Sequence, residues 1–430
     1  MRHELIIFLV MACIAAGGSL LTKNDRKWTP LILLIAAVAG SLTAGMGVRF
    51  REIVEGPFAF LDSAMWIFMA TIFVWLLYKV GFFHDWFASL LGIRSRTLRA
   101  FALMFFLVLP GMLSGLASLS VLTTGRILGE HLKKRGLSDK KAGCLIAVGS
   151  FLGMILPPNC LPAMLAVNGA GSVLPTPYIG FSVPMLLIAL PSFVIFTLLV
   201  RPDLAGETEE NHVKVPFIKF LPLIAVGVLL LFECVLYFIA TFGGQVVIYC
   251  VGLLLIVIVF RADLKGEASL LKAVPEAMGK AVIPIAVMMA VGMFAEVTSM
   301  SGIRGWYSLL ILKDYDASGY IVTELVVTGI ALLVSIPFGL GLSGFFATYA
   351  VFPIQWIGNA VALSGMGSAY GAAYLLAARG GLTDLVKEEL GLPALRWRDV
   401  IKSAILPLGL HLLMSVLAIV FADSLTGLLL

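Results

Sequence analysis

The sequence has few charged residues. Asp, Glu, Lys and Arg make up 13% of its 430 residues and 60% are hydrophobic, whereas soluble domains carry about 25% charged residues. Apolar runs of about 20 residues, the length that a membrane-spanning helix needs, recur from one end of the chain to the other. The runs are continuous rather than alternating, so they do not indicate strands. We therefore predict an all-α polytopic membrane protein without a sizeable soluble domain.

The sequence also lacks the motifs of several enzyme classes. Its five cysteines are scattered and form no Cys-x-x-Cys pair, which argues against disulfides and metal sites. Its five histidines do not cluster. No glycine-rich loop carries the Lys and Ser/Thr of a phosphate site, so ATP-driven transport by this chain is not expected. We expect no enzymatic activity, no cofactor and no nucleic-acid partner.

Continuous apolar stretches predict the full spans. The first could pass for a signal peptide, but a second span follows almost at once, so we interpret it as a helix. The predicted spans are 4–22, 29–47, 59–82, 178–199, 220–240, 245–260, 279–300 and 403–425.

Other apolar stretches are interrupted. Residues 97–132 are broken at Pro110–Gly115, and each arm of about 15 residues is too short to cross a bilayer of about 30 Å. We predict a re-entrant helical hairpin with its tip at Ser114–Ser118, and a second hairpin at 319–360, broken at Pro337–Gly344.

Two further stretches, 142–170 and 366–381, predict broken helices. The first contains two glycines, a double proline and an asparagine within residues 149–159. Lipid cannot satisfy the backbone groups that a proline frees, so such a break persists only within protein or beside a polar cavity. The alternative is a proline kink in a packed helix. With the broken helices counted as spans, the chain makes ten crossings plus two hairpins.

The two halves resemble each other weakly. Leu-Ser-Gly occurs in both hairpins, at 113–115 and 342–344, and a Gly/Ala-rich helix follows each. A layout that places most basic residues on one face, the cytoplasmic one by the positive-inside rule, orients the halves oppositely. Inverted repeats are typical of secondary transporters. The predicted units are scaffold helices 1–58, a first repeat 59–200, connecting scaffold helices 201–278 and a second repeat 279–430.

Hairpin tips and helix breaks that meet near the midplane predict the binding site. Their free carbonyls suit Na⁺, and their helix N-termini and hydroxyls suit a carboxylate. The ion- and substrate-binding candidates are Ser114, Gly115, Ser118, Gly149, Ser150, Gly153, Pro157, Pro158, Asn159, Ser343, Gly344, Thr348 and Arg379. The Na⁺ candidates among them are Ser114, Gly115, Gly149, Asn159, Ser343 and Gly344.

Each candidate has an alternative explanation. Small residues at the tips also let hairpin arms pack closely. Arg379 could bind a substrate carboxylate or extend to the membrane surface. Arg126 could contact the scaffold or the substrate. Carboxylates in or near apolar spans could carry protons instead; they are Glu233, Glu296 and Glu324.

Several motifs resemble the large membrane subunit of TRAP transporters, the tripartite ATP-independent periplasmic carriers of the ion transporter superfamily. They are Leu113-Ser114-Gly115, Thr123-Thr124-Gly125-Arg126-Ile127, Lys134-Arg135-Gly136 and the stretch from Gly149 to Pro158. The resemblance implies Na⁺-coupled uptake of an organic acid, a C4-dicarboxylate or a sugar acid, by an elevator-type mechanism. It also implies a small membrane subunit and a periplasmic substrate-binding protein as partners, in a bacterial-type inner membrane.

The sequence departs from the TRAP pattern at two places. Asn159 stands where a serine is usual, and the second half, at 371–381, lacks a Pro-Pro pair. A stand-alone symporter of the superfamily, or a cation/proton antiporter without a binding protein, is therefore the alternative. Dependence on Glu296 or Glu324 without a carboxylate substrate would favour the antiporter. A membrane-embedded enzyme would need clustered catalytic residues, and a channel would not need inverted broken helices.

Overall fold

The structure is a computed structural model, and it describes residues 3–22, 27–58, 60–160, 178–206, 215–236, 244–303, 305–306, 309, 325–326, 329, 360–377 and 381–429. Across these ranges the chain forms helices and no strand, which confirms the predicted all-α fold class. Almost all of the second predicted hairpin, 319–360, lies outside the described residues.

The helices are numbered in chain order. They are α1 (His3–Leu21), α2 (Thr29–Thr43), α3 (Phe50–Phe58), α4 (Leu61–Lys79), α5 (Phe82–Leu91), α6 (Arg96–Ser114), α7 (Ala117–Ser120), α8 (Arg126–Lys134), α9 (Asp139–Ile155), α10 (Tyr178–Ala205), α11 (Leu221–Leu236), α12 (Gly244–Val259), α13 (Leu270–Met300), α14 (Ala360–Ala377), α15 (Gly381–Leu390), α16 (Trp397–Val420) and α17 (Ala422–Leu429). A π-helical turn, Val121–Gly125, joins α7 to α8, and 3₁₀ turns at Phe217–Phe220 and Gly266–Ala268 precede α11 and α13.

Six of the described helices are long and apolar enough to cross a membrane, namely α1, α4, α6, α10, α13 and α16. Helices α2, α11 and α12 are apolar but shorter. Together they account for the predicted spans in these parts of the chain. The chain is therefore a multi-pass integral membrane protein, and the total of ten crossings stays a prediction.

The first arm of the first hairpin is longer than predicted. Helix α6 has 19 residues rather than about 15 and is long enough to cross a membrane, so the argument that each arm is too short was wrong for this arm. The helix continues through Pro110, because hydroxyl groups of the returning arm bond to the backbone beside it. The chain then reverses at Gly115, within the predicted tip.

Other predicted boundaries were also wrong. Helix α13 begins at Leu270 rather than 279, while the predicted division of the chain into units stays a prediction. Helix α14 begins at Ala360 rather than 366. Helix α15 occupies part of the charged stretch 383–402 before the last predicted span, for which no helix was predicted. Short amphipathic helices such as α3, α5 and α15 were missed because their charged residues are also typical of loops.

One group of helices packs around α13. Helices α2, α3 and α4 lie against α13, α1 packs on α2, and α12 packs on both α4 and α11. Helix α3 approaches α13 so closely that a Cβ at Gly56 would lie 2.6 Å from the carbonyl oxygen of Gly292. We call α1–α4 and α11–α13 the scaffold. Its side chains Ile7, Met11, Val291 and Phe294 share a buried apolar cluster.

A second group forms around the first hairpin. Helix α6 packs on α9, α10 packs on α6, α14 and α16, and α15 packs on α8 and α9. Small residues again permit close contact, since a Cβ at Gly365 of α14 would lie 2.8 Å from the carbonyl oxygen of Ser415 of α16. We call α6–α10 and α14–α16 the hairpin body. It contacts the scaffold mainly where α6 meets α4.

The basic loop after α8 contacts both parts of the hairpin body, α6–α10 and α14–α16. Gly136 adopts a left-handed conformation with φ of 79° and ends α8. Lys133 Nζ donates to the carbonyl of Leu390 at the end of α15 (2.7 Å), and Arg135 Nη1 donates to the carbonyl of Asp203 near the end of α10 (3.0 Å). Cations are favourable at helix C-termini because the last carbonyls are unpaired. Two ion pairs extend the contact, Lys140–Asp399 (2.6 Å) and Lys141–Asp203 (3.6 Å).

The contact between α3 and α13 leads to a stability prediction. Gly292→Ala should lower the stability of the detergent-solubilised protein by about 1–3 kcal/mol, because the new methyl group would meet the backbone of α3. The measurement is the midpoint of thermal unfolding. Gly279→Ala is the matched control on the same helix, where no atom lies within 4 Å of the added Cβ. A drop of equal size in both variants would contradict this account.

Candidate functional site

The tip of the first hairpin is a tight turn closed by its own serine. Helix α6 ends at Ser114, and Gly115 follows with φ of 70°, a conformation that glycine adopts without strain. The Gly115 N–H donates to the carbonyl of Gly111 (2.7 Å). Ser114 Oγ donates to the carbonyl of Pro110 (2.6 Å) and accepts from the Leu116 N–H (3.2 Å). Ser114 and Gly115 therefore both bond to the hairpin's own backbone.

Two hydroxyl groups of the returning arm hold the arms together. Ser120 Oγ accepts from the Gly111 N–H (2.8 Å), and Thr124 Oγ1 donates to the carbonyl of Leu107 (3.2 Å). Both side chains are fully buried. The π-helical turn that contains Thr124 is of a kind frequent at functional sites. Sequence analysis did not select Ser120, because a serine in a small-residue stretch carries no distinct signal.

The predicted helix break after α9 is present up to residue 160. Helix α9 ends at Ile155, Leu156 is extended, and the Pro157–Pro158 peptide bond is cis. The break places Asn159, which has no solvent exposure, against the first hairpin tip. Asn159 Nδ2 donates to the carbonyl of Leu113 (2.6 Å). The part of the predicted broken helix beyond this point, 161–170, lies outside the described residues.

A tyrosine of the scaffold completes this arrangement. Tyr249 of α12 donates its hydroxyl proton to the carbonyl of Leu113 (2.5 Å), and the same hydroxyl accepts from Asn159 Nδ2 (2.9 Å). Because a carbonyl can only accept, Leu113 determines which end of the carboxamide faces it. Sequence analysis missed Tyr249, since a single tyrosine in an apolar span is also typical of ordinary packing.

The carboxamide oxygen of Asn159 takes no part in these hydrogen bonds. Asn159 Oδ1 is buried and has no hydrogen-bond partner in the described part of the protein. Leaving such an acceptor unpaired costs about 1–3 kcal/mol. A neutral oxygen at a helix break, beside a hairpin tip, is the kind of ligand that a hard cation takes.

Gly149 and Gly153 lie in the contact between α9 and α6. A Cβ at Gly153 would lie 2.9 Å from Val108 Cα, and a Cβ at Gly149 would lie 3.2 Å from Leu107 Cγ. Both glycines therefore let the broken helix approach the hairpin arm. This geometry gives them a packing role, and their predicted role in ion binding stays a prediction.

The other predicted site residues are distributed as follows. Ser150 is buried, and its Oγ has no hydrogen-bond partner among the described residues, whereas Ser118 is half-buried. Arg126 is half-exposed and pairs with Glu130 (3.3 Å) and Glu389 of α15 (3.8 Å). The remaining candidates, Ser343, Gly344, Thr348 and Arg379, lie outside the described residues.

The second half contributes a polar cluster that sequence analysis did not select. His411 of α16 is buried, and its Nε2 lies 2.9 Å from the carbonyl oxygen of Ser368 of α14. Ser415 Oγ donates to the His411 carbonyl (2.9 Å). His411 also lines a small apolar cavity between α9 and α16 with Phe151 and Leu408. A single histidine in an apolar span gives no indication, in the sequence, that it contacts a second helix.

The donor atoms of the site favour one class of ligand. Within the described ranges, no three His, Cys, Asp or Glu side chains lie close enough together to hold a metal ion. The groups around the first tip are instead neutral oxygens of carbonyl, hydroxyl and carboxamide type. Such groups suit an alkali cation better than a transition metal, which prefers imidazole and thiolate.

One family model matches the chain. Residues 58–357 match the family described as "Tripartite ATP-independent periplasmic transporter, DctM component". No curated protein matches the sequence at a significant level.

Two solved structures are similar in fold. The YdaH transporter of Alcanivorax borkumensis has a TM-score of 0.57 at 15% identity, over 86% of this chain and 87% of that chain. MtrF of Neisseria gonorrhoeae, described as illuminating a class of antimetabolite efflux pumps, has a TM-score of 0.57 at 14% identity, over 92% and 94% of the two chains. At these identities the likeness shows the fold alone.

The contact between the hairpin arms leads to a second prediction. Ser120→Ala should lower the midpoint of thermal unfolding, because it removes a buried hydrogen bond to the Gly111 N–H that contributes about 0.5–1.5 kcal/mol. Ser192→Ala of α10 is the control, since its buried hydroxyl has no hydrogen-bond partner in the described residues. If Ser192→Ala were the more destabilising change, the assigned role of Ser120 would be wrong.

Proposed function

Because the chain belongs to the DctM family of tripartite ATP-independent periplasmic transporters, we propose that it is the large membrane subunit of a Na⁺-coupled carrier for an organic acid. The family is one of secondary transporters rather than enzymes. The coupling ion, the substrate class and the elevator-type motion are parts of this proposal.

The observation that carries the proposal is the convergence of the first hairpin tip and the broken helix on Asn159. Its buried Oδ1 lacks a hydrogen-bond partner in the described part of the chain, and the carbonyl of Leu113 lies beside the same carboxamide. A dehydrated Na⁺ needs several such oxygen ligands at once. We propose that Asn159 and the first tip, with Ser114 and Gly115, form one cation site, and that Ser343 and Gly344 contribute to a second.

The proposed substrate is a C4-dicarboxylate or a sugar acid. A carboxylate would be held by hydroxyls, helix N-termini and Arg379, whose guanidinium can bind both carboxylate oxygens. This assignment rests on the sequence pattern, because Thr348 and Arg379 lie outside the described residues. Family membership is consistent with an anionic substrate but does not define it.

The two packed groups of helices support an elevator-type motion. The hairpin body carries the tip and the helix break, and it is held together by helix contacts and by the basic loop. Its contact with the scaffold is smaller than the contacts within either group. We propose that the hairpin body moves as one unit past the scaffold.

Family membership also implies partners. A tripartite carrier includes a small membrane subunit and a substrate-binding protein, and the chain lies in a lipid bilayer. We propose a bacterial inner membrane as its location. The alternatives of a stand-alone symporter or a cation/proton antiporter are not favoured by the family.

The test is uptake of labelled C4-dicarboxylates and sugar acids into proteoliposomes that contain the chain and its small subunit. Uptake is measured with and without an inward Na⁺ gradient, with choline replacing Na⁺, and with and without the cognate binding protein. We expect uptake only when Na⁺ and the binding protein are both present. Uptake without the binding protein would indicate a stand-alone symporter, and uptake indifferent to Na⁺ would contradict the proposed coupling.

Asn159→Ala tests the proposed site directly. Loss of the Oδ1 ligand should raise the Na⁺ concentration for half-maximal uptake by about tenfold or more, as expected when a buried ligand worth about 1.5–3 kcal/mol is lost. Ser192→Ala serves as the control in the same body, because this buried hydroxyl is not an assigned ligand and has no hydrogen-bond partner in the described residues. An unchanged Na⁺ dependence in folded Asn159→Ala would exclude this residue from the site.

A further inference from the structure

We propose that Tyr249, on the scaffold, is a positioning residue that orients the carboxamide of Asn159 toward the coupling cation. The inference rests on the proposed Na⁺ site and adds a residue from outside the hairpin body. It gives the scaffold a positioning role at the ion site.

The ring of Tyr249 is packed within the scaffold. Helix α12 packs on α4 and α11, and a Cβ at Gly252, one turn further along, would lie 2.8 Å from the ring of Phe73 of α4. The rings of Phe73 and Tyr249 lie 6.0 Å apart between centroids. The tyrosine ring is fully buried, so its hydroxyl is presented to the hairpin tip from a fixed support.

The hydrogen bonds around Tyr249 form a closed ring. The Asn159 amide donates to the Leu113 carbonyl (2.6 Å) and to the Tyr249 hydroxyl (2.9 Å), and that hydroxyl donates to the same carbonyl (2.5 Å). Both N–H groups of the carboxamide are then used on one side. Its orientation is fixed by two acceptors rather than one, and Oδ1 is left unpaired.

This orientation has a function only if something binds to Oδ1. Turning the carboxamide toward the Tyr249 hydroxyl would pair the oxygen and remove an unfavourable buried acceptor. The bond from Tyr249 to Leu113 opposes that turn, because it commits the only hydroxyl proton to the carbonyl. Tyr249 thus keeps Oδ1 available at a cost in stability, as expected for a preorganised ligand.

Because Tyr249 and Asn159 belong to different bodies, their contact depends on how the bodies are arranged. Motion of the hairpin body past the scaffold would break the ring and release the carboxamide. Cation affinity would therefore be highest while Tyr249 still contacts the tip, before that motion. The scaffold would thereby couple ion binding to the position of the hairpin body.

The test compares Tyr249→Phe with the unsubstituted protein in two Na⁺ titrations at constant ionic strength, with choline as the replacement. One follows uptake, and the other follows the rise of the unfolding midpoint in detergent, which reports binding without transport. We expect Tyr249→Phe to raise the Na⁺ constant about three- to tenfold in both, because the hydroxyl that holds the Asn159 carboxamide in place is lost. Uptake at saturating Na⁺ should change less than about twofold.

A double-mutant cycle separates positioning from general packing. If Tyr249 acts through Asn159, Tyr249→Phe should have no further effect on the Na⁺ constant in the Asn159→Ala background. Thr71→Val is the matched control, because it removes a buried scaffold hydroxyl that has no hydrogen-bond partner in the described residues. It should leave both titrations unchanged.

Each outcome bears on one of the two proposals. A Tyr249→Phe variant that loses stability or maximal uptake at every Na⁺ concentration, with the Na⁺ constant unchanged, would overturn the positioning role. Additive effects of Tyr249→Phe and Asn159→Ala would also overturn it. If the unsubstituted protein showed no Na⁺ dependence in either titration, the proposed coupling itself would be wrong.

Discussion

The structure depends on one constraint, that backbone groups freed by a helix break have no water to bond to within a membrane. At the first hairpin this constraint is met by side chains. Ser120 and Thr124 bond to the backbone beside the internal proline of α6, and Asn159 and Tyr249 bond to the carbonyl of Leu113 at the tip. The break after α9 and the turn of the hairpin therefore stabilise each other. Among the groups that make these bonds, Asn159 Oδ1 has no hydrogen-bond partner in the described part of the chain and is available to a ligand.

The second requirement for stable packing is close contact between helix backbones. Helices in lipid gain little stability from the hydrophobic effect, so they associate through van der Waals contact. Glycines supply this contact at three places, between α3 and α13, between α6 and α9, and between α14 and α16. The same residue type thus builds the scaffold, the hairpin and the second half of the hairpin body. This explains why glycines near the site are ambiguous in the sequence, where Gly153 could equally bind an ion or admit a neighbouring helix.

The sequence predicted those features that depend on local chemistry. The turn at Gly115 and the break at Pro157–Pro158 follow from residues that cannot continue a helix. Asn159 was selected because it carries an amide in an apolar run, and its role as a ligand stays a prediction. The length of α6 was underestimated, because the bonds that let it continue through its proline come from the returning arm. Tyr249 was missed for a related reason, since its role depends on a contact between distant segments. The pairing of His411 with Ser368 is another contact of this kind.

The basic loop that follows α8 has a consequence for the order of biosynthesis. Lys133 and Arg135 are translated well before the carbonyls they cap, which belong to Leu390 and Asp203, and Lys140 waits for Asp399. Until the second half has been synthesised, Lys133 and Lys140 lack these two partners. Docking of α15 and the start of α16 is therefore a late event of assembly. The contacts of this basic loop with α15 and with the start of α16 can thus form only after the chain has been synthesised nearly to its end.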